Sequence, residues 1–306
     1  MSRASRFLLV VLAATLAPPA LPPAAHAQTV STFAGGVTHA RGLAFDNLGR
    51  LYISLRDPAG AIWRCTPPSN AMTGIASGLS DPIEMVFDGA GNLYVTNYNA
   101  GVGGNIWKIT PGGTKSVFAS ITTPSGLAID PSGNLYVGEY NNKRVDMVTS
   151  GGVVTVYADL GSLNINNKVQ AMYRDDDGTI YAGVSYGAIY KIGPGGSPIT
   201  LFNHSMNGCN GITKAPDGFF YAASYDYHEI WKITAAGVGT LYSGAHGVGG
   251  LVNGAIGLAR FNGPSGLAIR DDVIYCAEYV NNDIRATLAP TANARTTWGR
   301  VQSLYR

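Results

Sequence analysis

The sequence predicts an all-β fold, a six-bladed β-propeller with four-stranded blades. A run of the form Gly-Leu-Ala-Ile-Asp, a turn and Leu-Tyr-Val recurs six times along the 306 residues, most clearly at 124–137. The repeated tyrosines lie 42, 42, 45, 40 and 54 residues apart, at Tyr52, Tyr94, Tyr136, Tyr181, Tyr221 and Tyr275. A period near 40 residues, with several short strand patterns in each unit, is typical of propellers.

Each unit contains four short strand patterns, labelled a to d. Strand a is the Gly-Leu-Ala-Ile run, which is apolar throughout and suits burial on both faces of a sheet. Strand b is the Leu-Tyr-Val run, and the turn between a and b carries hairpin sequences such as Asp-x-x-Gly. Strand c has the form Ile-x-Lys-Ile, as at 106–109, 189–192 and 230–233. Strand d is exemplified by 116–119 and 154–158.

The two ends of the chain are out of phase with the repeat. A d-type strand lies at 30–34, and the last unit has only a, b and c, which end near 284–286. We therefore predict a propeller over 28–286 in which the N-terminal strand completes the sixth blade, because this closes the ring and removes two exposed strand edges. Residues 287–306 are then an extra tail, and its segment 298–305 is the alternative occupant of that strand position.

The first 27 residues have the composition of a secretory signal. Arg3 and Arg6 precede an apolar run at 7–16, and residues 25–27 read Ala-His-Ala, a small-x-small cleavage site. The apolar run is too short to span a bilayer, and we expect no transmembrane segment elsewhere. The prediction is a mature chain that begins at Gln28 and is secreted or periplasmic, with a retained N-terminal anchor as the alternative.

The net charge of the mature chain argues against some classes of binding partner. Without the two leader arginines, 19 basic residues remain against 19 acidic ones, which argues against binding to nucleic acid or anionic lipid. We expect a monomer.

The three cysteines show no functional spacing. Cys65, Cys209 and Cys276 match no metal or redox motif, so we expect small buried apolar side chains. A bridge between Cys65 and Cys276 is the alternative.

The third unit carries the most specific motif. From Val137 to Val145 it reads Val-Gly-Glu-Tyr-Asn-Asn-Lys-Arg-Val, which resembles the NHL repeat and its Asn-x-Arg-Val element. The Gly-rich segment 244–266 is similar to the long loop that precedes a blade in NHL propellers. The resemblance covers about 30–285. It implies a propeller of the wider gluconolactonase-like and streptogramin-lyase-like group, which includes metal-dependent lactonases, lyases and binding modules.

Candidate site residues come from two positions of the repeat. Strand a begins and strand b ends at the same face of the ring, near the central channel. Four units have Gly at the start of strand a, as in Gly42, but two have Glu84 and Gln170, which we expect to project into the channel. Three residues after the repeated tyrosine, strand b ends with Asn97, Glu139, Ser224 or Glu278 in four units, each followed by a tyrosine.

These residue types suggest two kinds of chemistry. Carboxylates with amide oxygens can hold Ca²⁺, and histidines with a carboxylate can hold Zn²⁺. Arg41 or Arg56 can bind a substrate carboxylate or stabilise an oxyanion. The competing interpretation is structural: strand-end side chains satisfy backbone N–H groups, the tyrosines pack between blades, and loop histidines are solvated.

The fifth unit has a further resemblance to gluconolactonase-like enzymes. Asn210-Gly211, the Ala-Pro-Asp-Gly run at 215–218 and Tyr221 are similar to a block of that family in which the Asn binds the metal. The resemblance implies Asn210 as a metal ligand. The ligating Asp of the family falls at Ser224, which is not acidic, so one expected ligand is missing. The Trp-Phe-Thr-Glu run of the lyases is absent as well.

The function predicted from the sequence is a binding module for a peptide, glycan or small molecule on the channel face. Its expected contacts are Asn97, Gln170, Ser224, Tyr98, Tyr140, Tyr225 and Tyr279. The alternative is a metal-dependent hydrolase or lyase that holds one Ca²⁺ or Zn²⁺ and acts on a lactone or ester. Its expected metal ligands are Glu84, Asn210 and one of the two glutamates Glu139 and Glu278. Its expected catalytic groups are Arg41, Arg56 and a general base, His204 or His246.

Overall fold

The computed structural model describes residues 28–56, 60–66, 70–99, 103–163 and 168–289. Within these ranges the chain forms five antiparallel sheets of four strands and one sheet of five, which are the six blades of a propeller. The predicted fold class is confirmed. The expected leader and all but the first three residues of the expected tail lie outside the described residues.

The strands follow the order predicted from the repeat. The first strand is β1 (Thr29–Gly35). Blade 1 consists of β2 (Ala40–Phe45), β3 (Leu51–Leu55), β4 (Ala61–Thr66) and β5 (Ala71–Ser77). Blade 2 consists of β6 (Pro82–Phe87), β7 (Leu93–Asn97), β8 (Gly104–Ile109) and β9 (Lys115–Ile121). Blade 3 consists of β10 (Pro124–Ile129), β11 (Leu135–Glu139), β12 (Arg144–Val148) and β13 (Val154–Asp159).

The second half of the chain repeats this arrangement. Blade 4 consists of β14 (Val169–Arg174), β15 (Ile180–Val184), β16 (Ala188–Ile192) and β17 (Ile199–Asn203). Blade 5 consists of β18 (Gly211–Lys214), β19 (Phe220–Ser224), β20 (Glu229–Ile233) and β21 (Gly239–Gly244). Blade 6 contains β22 (Gly254–Ala255), β23 (Pro264–Arg270), β24 (Val273–Glu278) and β25 (Asp283–Leu288). Two short 3₁₀ helices lie at Gly161–Leu163 and Pro194–Gly196.

The N-terminal strand closes the ring, as predicted. β1 pairs antiparallel with β25, from Val30 opposite Thr287 to Gly35 opposite Asp283. The sheet order β22-β1-β25-β24-β23 therefore places the first strand of the chain in the last blade. β25 ends at Leu288, two residues beyond the boundary expected at 286.

The apolar core lies between neighbouring blades. Each of six clusters of buried side chains combines residues of two adjacent blades, including the pair formed by blades 6 and 1. The repeated tyrosines belong to this core. Tyr136 meets Tyr157 of strand d edge to face, with ring centroids 4.8 Å apart. Tyr52 meets Phe87 of blade 2 instead, at 4.9 Å. The repeated tyrosines therefore pack within and between blades rather than form a ligand site.

Glycine at the start of strand a allows the blades to approach the axis. A methyl group on Gly42 would overlap the carbonyl oxygen of Ile83 in the next blade. One on Gly266 would overlap the carbonyl oxygen of Arg41. Because the inner strands crowd together here, a side chain at this position must project into the channel or displace its neighbour.

The expectations for the turn aspartates and for the cysteines are also met. Asp46, in the turn between strands a and b of blade 1, accepts hydrogen bonds from the backbone N–H groups of Leu48 and Arg50 at 3.0 and 2.9 Å. The three cysteines are free and buried, so the alternative bridge is not formed. None of the helices in the described residues is long and apolar enough to cross a membrane.

Candidate functional site

A cavity of about 390 Å³ opens at the channel mouth, where strands a begin and strands b end. It brings together eight residues that the sequence singled out: Arg41, Arg56, Tyr98, Tyr140, Gln170, Asn210, Tyr225 and Tyr279. Its volume lies in the range of about 300 to 1,000 Å³ that is usual for small-molecule sites.

Five further residues line the cavity and were not among the expected site residues. They are Ile83, Ser125, Ser185, Tyr186 and Asp226. Ser185 directly follows strand b of blade 4, in the position that tyrosine holds in four other blades. An alignment of the six units would therefore have identified Ser185 as a candidate site residue from the sequence.

Two pairs of tyrosines form opposite sides of the cavity mouth. Tyr98 and Tyr140, on blades 2 and 3, pack edge to face with ring centroids 5.3 Å apart. Tyr225 and Tyr279, on blades 5 and 6, pack in the same way at 5.9 Å. In a six-bladed ring, blades 2 and 3 lie opposite blades 5 and 6, so the two pairs face each other across the mouth. The rings are partly exposed and line the cavity, so they offer both faces and edges to a ligand.

Arg41 is the cationic group of the cavity that lacks a carboxylate partner. Within the described part of the chain, no carboxylate oxygen lies within 4.0 Å of its guanidinium. Its carbon Cζ lies 5.9 Å from the ring centroid of Tyr279. Burial and the neighbouring Arg56 lower the pKa of Arg41, because both disfavour its positive charge. Asp81 and Glu84, which lie beyond ion-pair distance, raise the pKa of Arg41 and so oppose these two effects.

Arg56 is held by an ion pair between blades 1 and 2. Its Nε lies 2.7 Å from Oδ1 of Asp81, which is 8% exposed. Burial raises the pKa of Asp81, and Arg56 opposes that shift. Arg56 therefore already has a counter-charge, whereas Arg41 has none within ion-pair distance.

Glu84 lies close enough to Arg41 to interact with it electrostatically, but it does not line the cavity. Its backbone N–H donates to Oγ1 of Thr96 at 2.9 Å, which fixes its place at the start of strand a. Burial raises the pKa of Glu84 to about 8, and Arg41 only partly offsets this. A carboxyl group with this pKa is mostly protonated at pH 7.

The polar residues that end strand b hold the loops of their own blades. Oδ1 of Asn97 accepts the backbone N–H of Asp81 at 3.0 Å. Oε1 of Glu278 accepts the backbone N–H of Asn262 at 2.7 Å. The hydroxyl of Ser224 donates to the carbonyl oxygen of Asn207. These side chains are buried and do not line the cavity, so the geometry favours the structural interpretation of this position.

Each of the two glutamates that end strand b, Glu139 and Glu278, also forms an ion pair with an arginine. Oε2 of Glu278 lies 3.0 Å from Nη1 of Arg285, and both side chains are at most 1% exposed. Oε1 of Glu139 lies 3.7 Å from Nη2 of Arg144. Glu139 and Glu278 belong to blades 3 and 6, on opposite sides of the ring.

The four candidate metal ligands do not all meet at the cavity. The described residues contain no group of three or more His, Cys, Asp or Glu side chains placed to hold a metal ion. Of the four expected ligands, Asn210 alone lines the cavity. This donor set does not fit a bound Ca²⁺ or Zn²⁺, so we derive no chemistry through one.

The two candidate general bases also lie away from the cavity lining. His204 is exposed in the loop after β17. The ring of His246 stacks on Tyr227, and its Nδ1 lies 3.1 Å from Oε1 of Glu229. Neither ring lines the cavity, so neither of the two expected general bases lies beside a ligand bound there.

Comparisons with known proteins agree with this architecture. The NHL repeat matches residues 122–145, so the NHL motif recognised in the third unit is confirmed. A search of curated proteins gives no significant match. The chain is a six-bladed propeller that contains an NHL repeat.

Solved structures with the same fold include binding proteins and an enzyme. An auxiliary nutrient binding protein from Bacteroides thetaiotaomicron has a TM-score of 0.73 and 16% identity, over 85% of this chain and 76% of that one. One from Bacteroides ovatus has 0.70 and 15%, over 86% and 77%. Virginiamycin B lyase from Staphylococcus aureus has 0.65 and 17%, over 86% and 100%. At these identities the likeness establishes the fold alone.

Proposed function

We propose that this protein is an exported binding module that takes a small molecule into the cavity at its channel mouth. The observation that carries the proposal is the cavity itself, with two facing tyrosine pairs and an arginine that lacks a carboxylate partner. A concave site with aromatic walls and a few convergent polar groups is the usual form of a ligand site.

The residues around the cavity support binding rather than catalysis. The lining contains neither histidine nor cysteine among the described residues, and its one carboxyl group belongs to the exposed Asp226. Ser125 and Ser185 hydrogen-bond to backbone groups of Gln170 and Lys168, so no hydrogen bond among the described residues joins either serine of the lining to a general base. The structural neighbours include nutrient binding proteins, which is consistent with the proposal at the level of the fold.

The test is a ligand screen with the chain from Gln28 onward. Melting temperature is measured with neutral sugars, acidic sugars, dipeptides and aromatic acids, each in wild type, in Tyr140→Ala and in the control Trp63→Ala. Trp63 is an exposed aromatic residue on β4, outside the cavity. We expect at least one ligand class to stabilise wild type and the control by a few degrees, since binding at about 100 times Kd contributes about 2.7 kcal/mol.

The result for Tyr140→Ala decides where the ligand binds. This variant should lose the stabilisation, because Tyr140 lines the cavity and Trp63 does not. Equal stabilisation of all three proteins would place the ligand elsewhere, and no stabilisation by any class would overturn the proposal.

Export is tested separately. When the full chain is produced in a host with a secretion pathway, we expect the protein outside the cytoplasm with Gln28 as its first residue, by mass spectrometry of the intact chain. A cell-associated chain that keeps residues 1–27 would favour the anchored alternative.

A further inference from the structure

We propose that the cavity recognises a uronate, a sugar acid whose carboxylate binds Arg41 while its pyranose ring lies between the two tyrosine pairs. This inference rests on the proposed function and names the ligand class of the same site. Three observations support it: the charge of the cavity, the placement of its aromatic rings and the polar side chains in its lining.

The charge of the cavity favours an anion. Arg41, Arg56 and Asp226 are the charged side chains that line it. Nζ of Lys168 lies 4.3 Å from the ring centroid of Tyr140, which adds a third cation at its edge. Asp81 pairs with Arg56 at 2.7 Å, whereas Asp81 and Glu84 act on Arg41 only from beyond ion-pair distance, so Arg41 is the cation more available to a ligand. A guanidinium binds a carboxylate through two parallel hydrogen bonds, which fixes orientation as well as affinity.

The aromatic rings favour a ligand that contains a ring. The two tyrosine pairs lie on blades 2 and 3 and on blades 5 and 6, and Arg41 lies on blade 1 between them. A ligand anchored at Arg41 therefore extends between two aromatic walls. The C–H faces of a pyranose pack well against such rings, because the π-face is electron-rich and the C–H edges carry partial positive charge.

The remaining lining favours a sugar over an aromatic acid. Gln170 and Asn210 line the cavity with amide groups, and Ser185 and Asp226 add a hydroxyl and a carboxylate. No described residue accepts a hydrogen bond from the hydroxyls of the four tyrosines. These donors and acceptors match a ring that carries several hydroxyl groups. An aromatic acid would leave most of them without a partner, which costs binding free energy.

The experiment is isothermal titration of the chain from Gln28 onward. The probes are digalacturonate, a glucuronate disaccharide and a mannuronate disaccharide, each paired with its uncharged methyl ester, together with phenylacetate. We expect at least one uronate disaccharide to bind and its ester to bind at least 10-fold more weakly. Arg41→Ala should lose about 10- to 100-fold in affinity, as expected for hydrogen bonds to a charged group.

Matched variants separate the role of Arg41 from folding. Arg41→Lys should recover part of the affinity, because it restores the charge without the two-point geometry. Arg56→Ala should lose less than Arg41→Ala, since Asp81 already pairs with Arg56. Arg50→Ala, at the opposite face, is the control and should bind as wild type does. Melting curves of all variants show whether they fold.

The outcomes distinguish this inference from the proposed function. If the esters bind as tightly as the acids, or if phenylacetate binds best, the uronate assignment is wrong but the cavity remains a binding site. If no uronate binds while another class stabilises the protein in a Tyr140-dependent manner, the inference falls and the module stands. If nothing binds, both are overturned.

Discussion

Neighbouring residues of the same strand ends have opposite roles in this propeller. Glu278 and Tyr279 are adjacent in sequence, as are Glu139 and Tyr140. The glutamates are buried in their blades and hold loops and arginines, whereas the tyrosines line the cavity at the channel mouth. Residue type alone is therefore a poor guide to the site in this protein: the carboxylates stabilise the scaffold, and the aromatic residues form the candidate site.

The largest expected effect on stability comes from Glu278, the buried neighbour of Tyr279. Glu278→Ala leaves Arg285, which is 1% exposed, without its carboxylate at 3.0 Å. Removing one partner of a buried ion pair typically costs about 3 to 5 kcal/mol, so we expect a loss of that size in the free energy of unfolding. The measurement is urea denaturation.

Glu139→Ala provides the matched comparison. The side chain of Arg144 is 34% exposed, so water can replace the lost carboxylate and the loss should be smaller. Equal losses for the two variants, or a loss below about 1 kcal/mol for Glu278→Ala, would contradict the structural role assigned to the buried pair.

The next effect depends on pH and concerns the channel carboxyl group. The pKa of Glu84 is raised to about 8 in the folded protein from an ordinary value of 4.5. Between these values the folded state holds a proton that the unfolded state has lost, so stability falls as pH rises through this window. Glu84→Gln should be as stable as wild type near pH 4 and more stable, by on the order of 2 kcal/mol, near pH 9. Thermal melts from pH 4 to 9 measure the difference.

The equivalent position in blade 4 provides a mirror variant. Gln170→Glu introduces a carboxyl group at the start of strand a. The stability of this variant should fall more steeply with rising pH than the stability of wild type does. If Glu84→Gln keeps the wild-type pH profile, the channel carboxyl group is not desolvated as described.

Tyr140, the partly exposed neighbour of the buried Glu139, should affect binding more than stability. Tyr140→Ala removes one edge-to-face contact with Tyr98, and such a contact contributes about 0.5 to 1.5 kcal/mol. We expect a stability loss of that size together with loss of ligand stabilisation. Thermal melts with and without ligand give both values. A loss as large as that of Glu278→Ala would make the tyrosines part of the core and remove the contrast.

The smallest expected effect is that of metal removal. Because Glu139 and Glu278 already pair with arginines, incubation with a chelator should leave the melting temperature unchanged. Elemental analysis of the untreated protein provides the control. About one Ca²⁺ or Zn²⁺ per chain, with a melt lowered by the chelator, would restore the hydrolase or lyase alternative.

The fold was predictable because its determinants are local and repeated. The period of the tyrosines, the hairpin turns and the glycines at the start of strand a all indicate the same blade, and the out-of-phase ends predict that β1 joins β25. The candidate site was predictable in part. The face and the residues Arg41, Arg56, Gln170 and Asn210 followed from the repeat, because homologous positions meet around one axis.

The tertiary structure alone decided which polar residues are free to bind. The sequence marks Glu139, Glu278, His204 and His246 as chemically capable, but it does not show the groups that face them in space. Partners such as Arg285 for Glu278, or Asp81 for Arg56, are set by how blades and loops pack. The repeat pattern was thus enough to predict the propeller and the face on which the candidate site lies. Packing decided that the acids stabilise the blades, since a buried charge must take the nearest counter-charge or hydrogen bond.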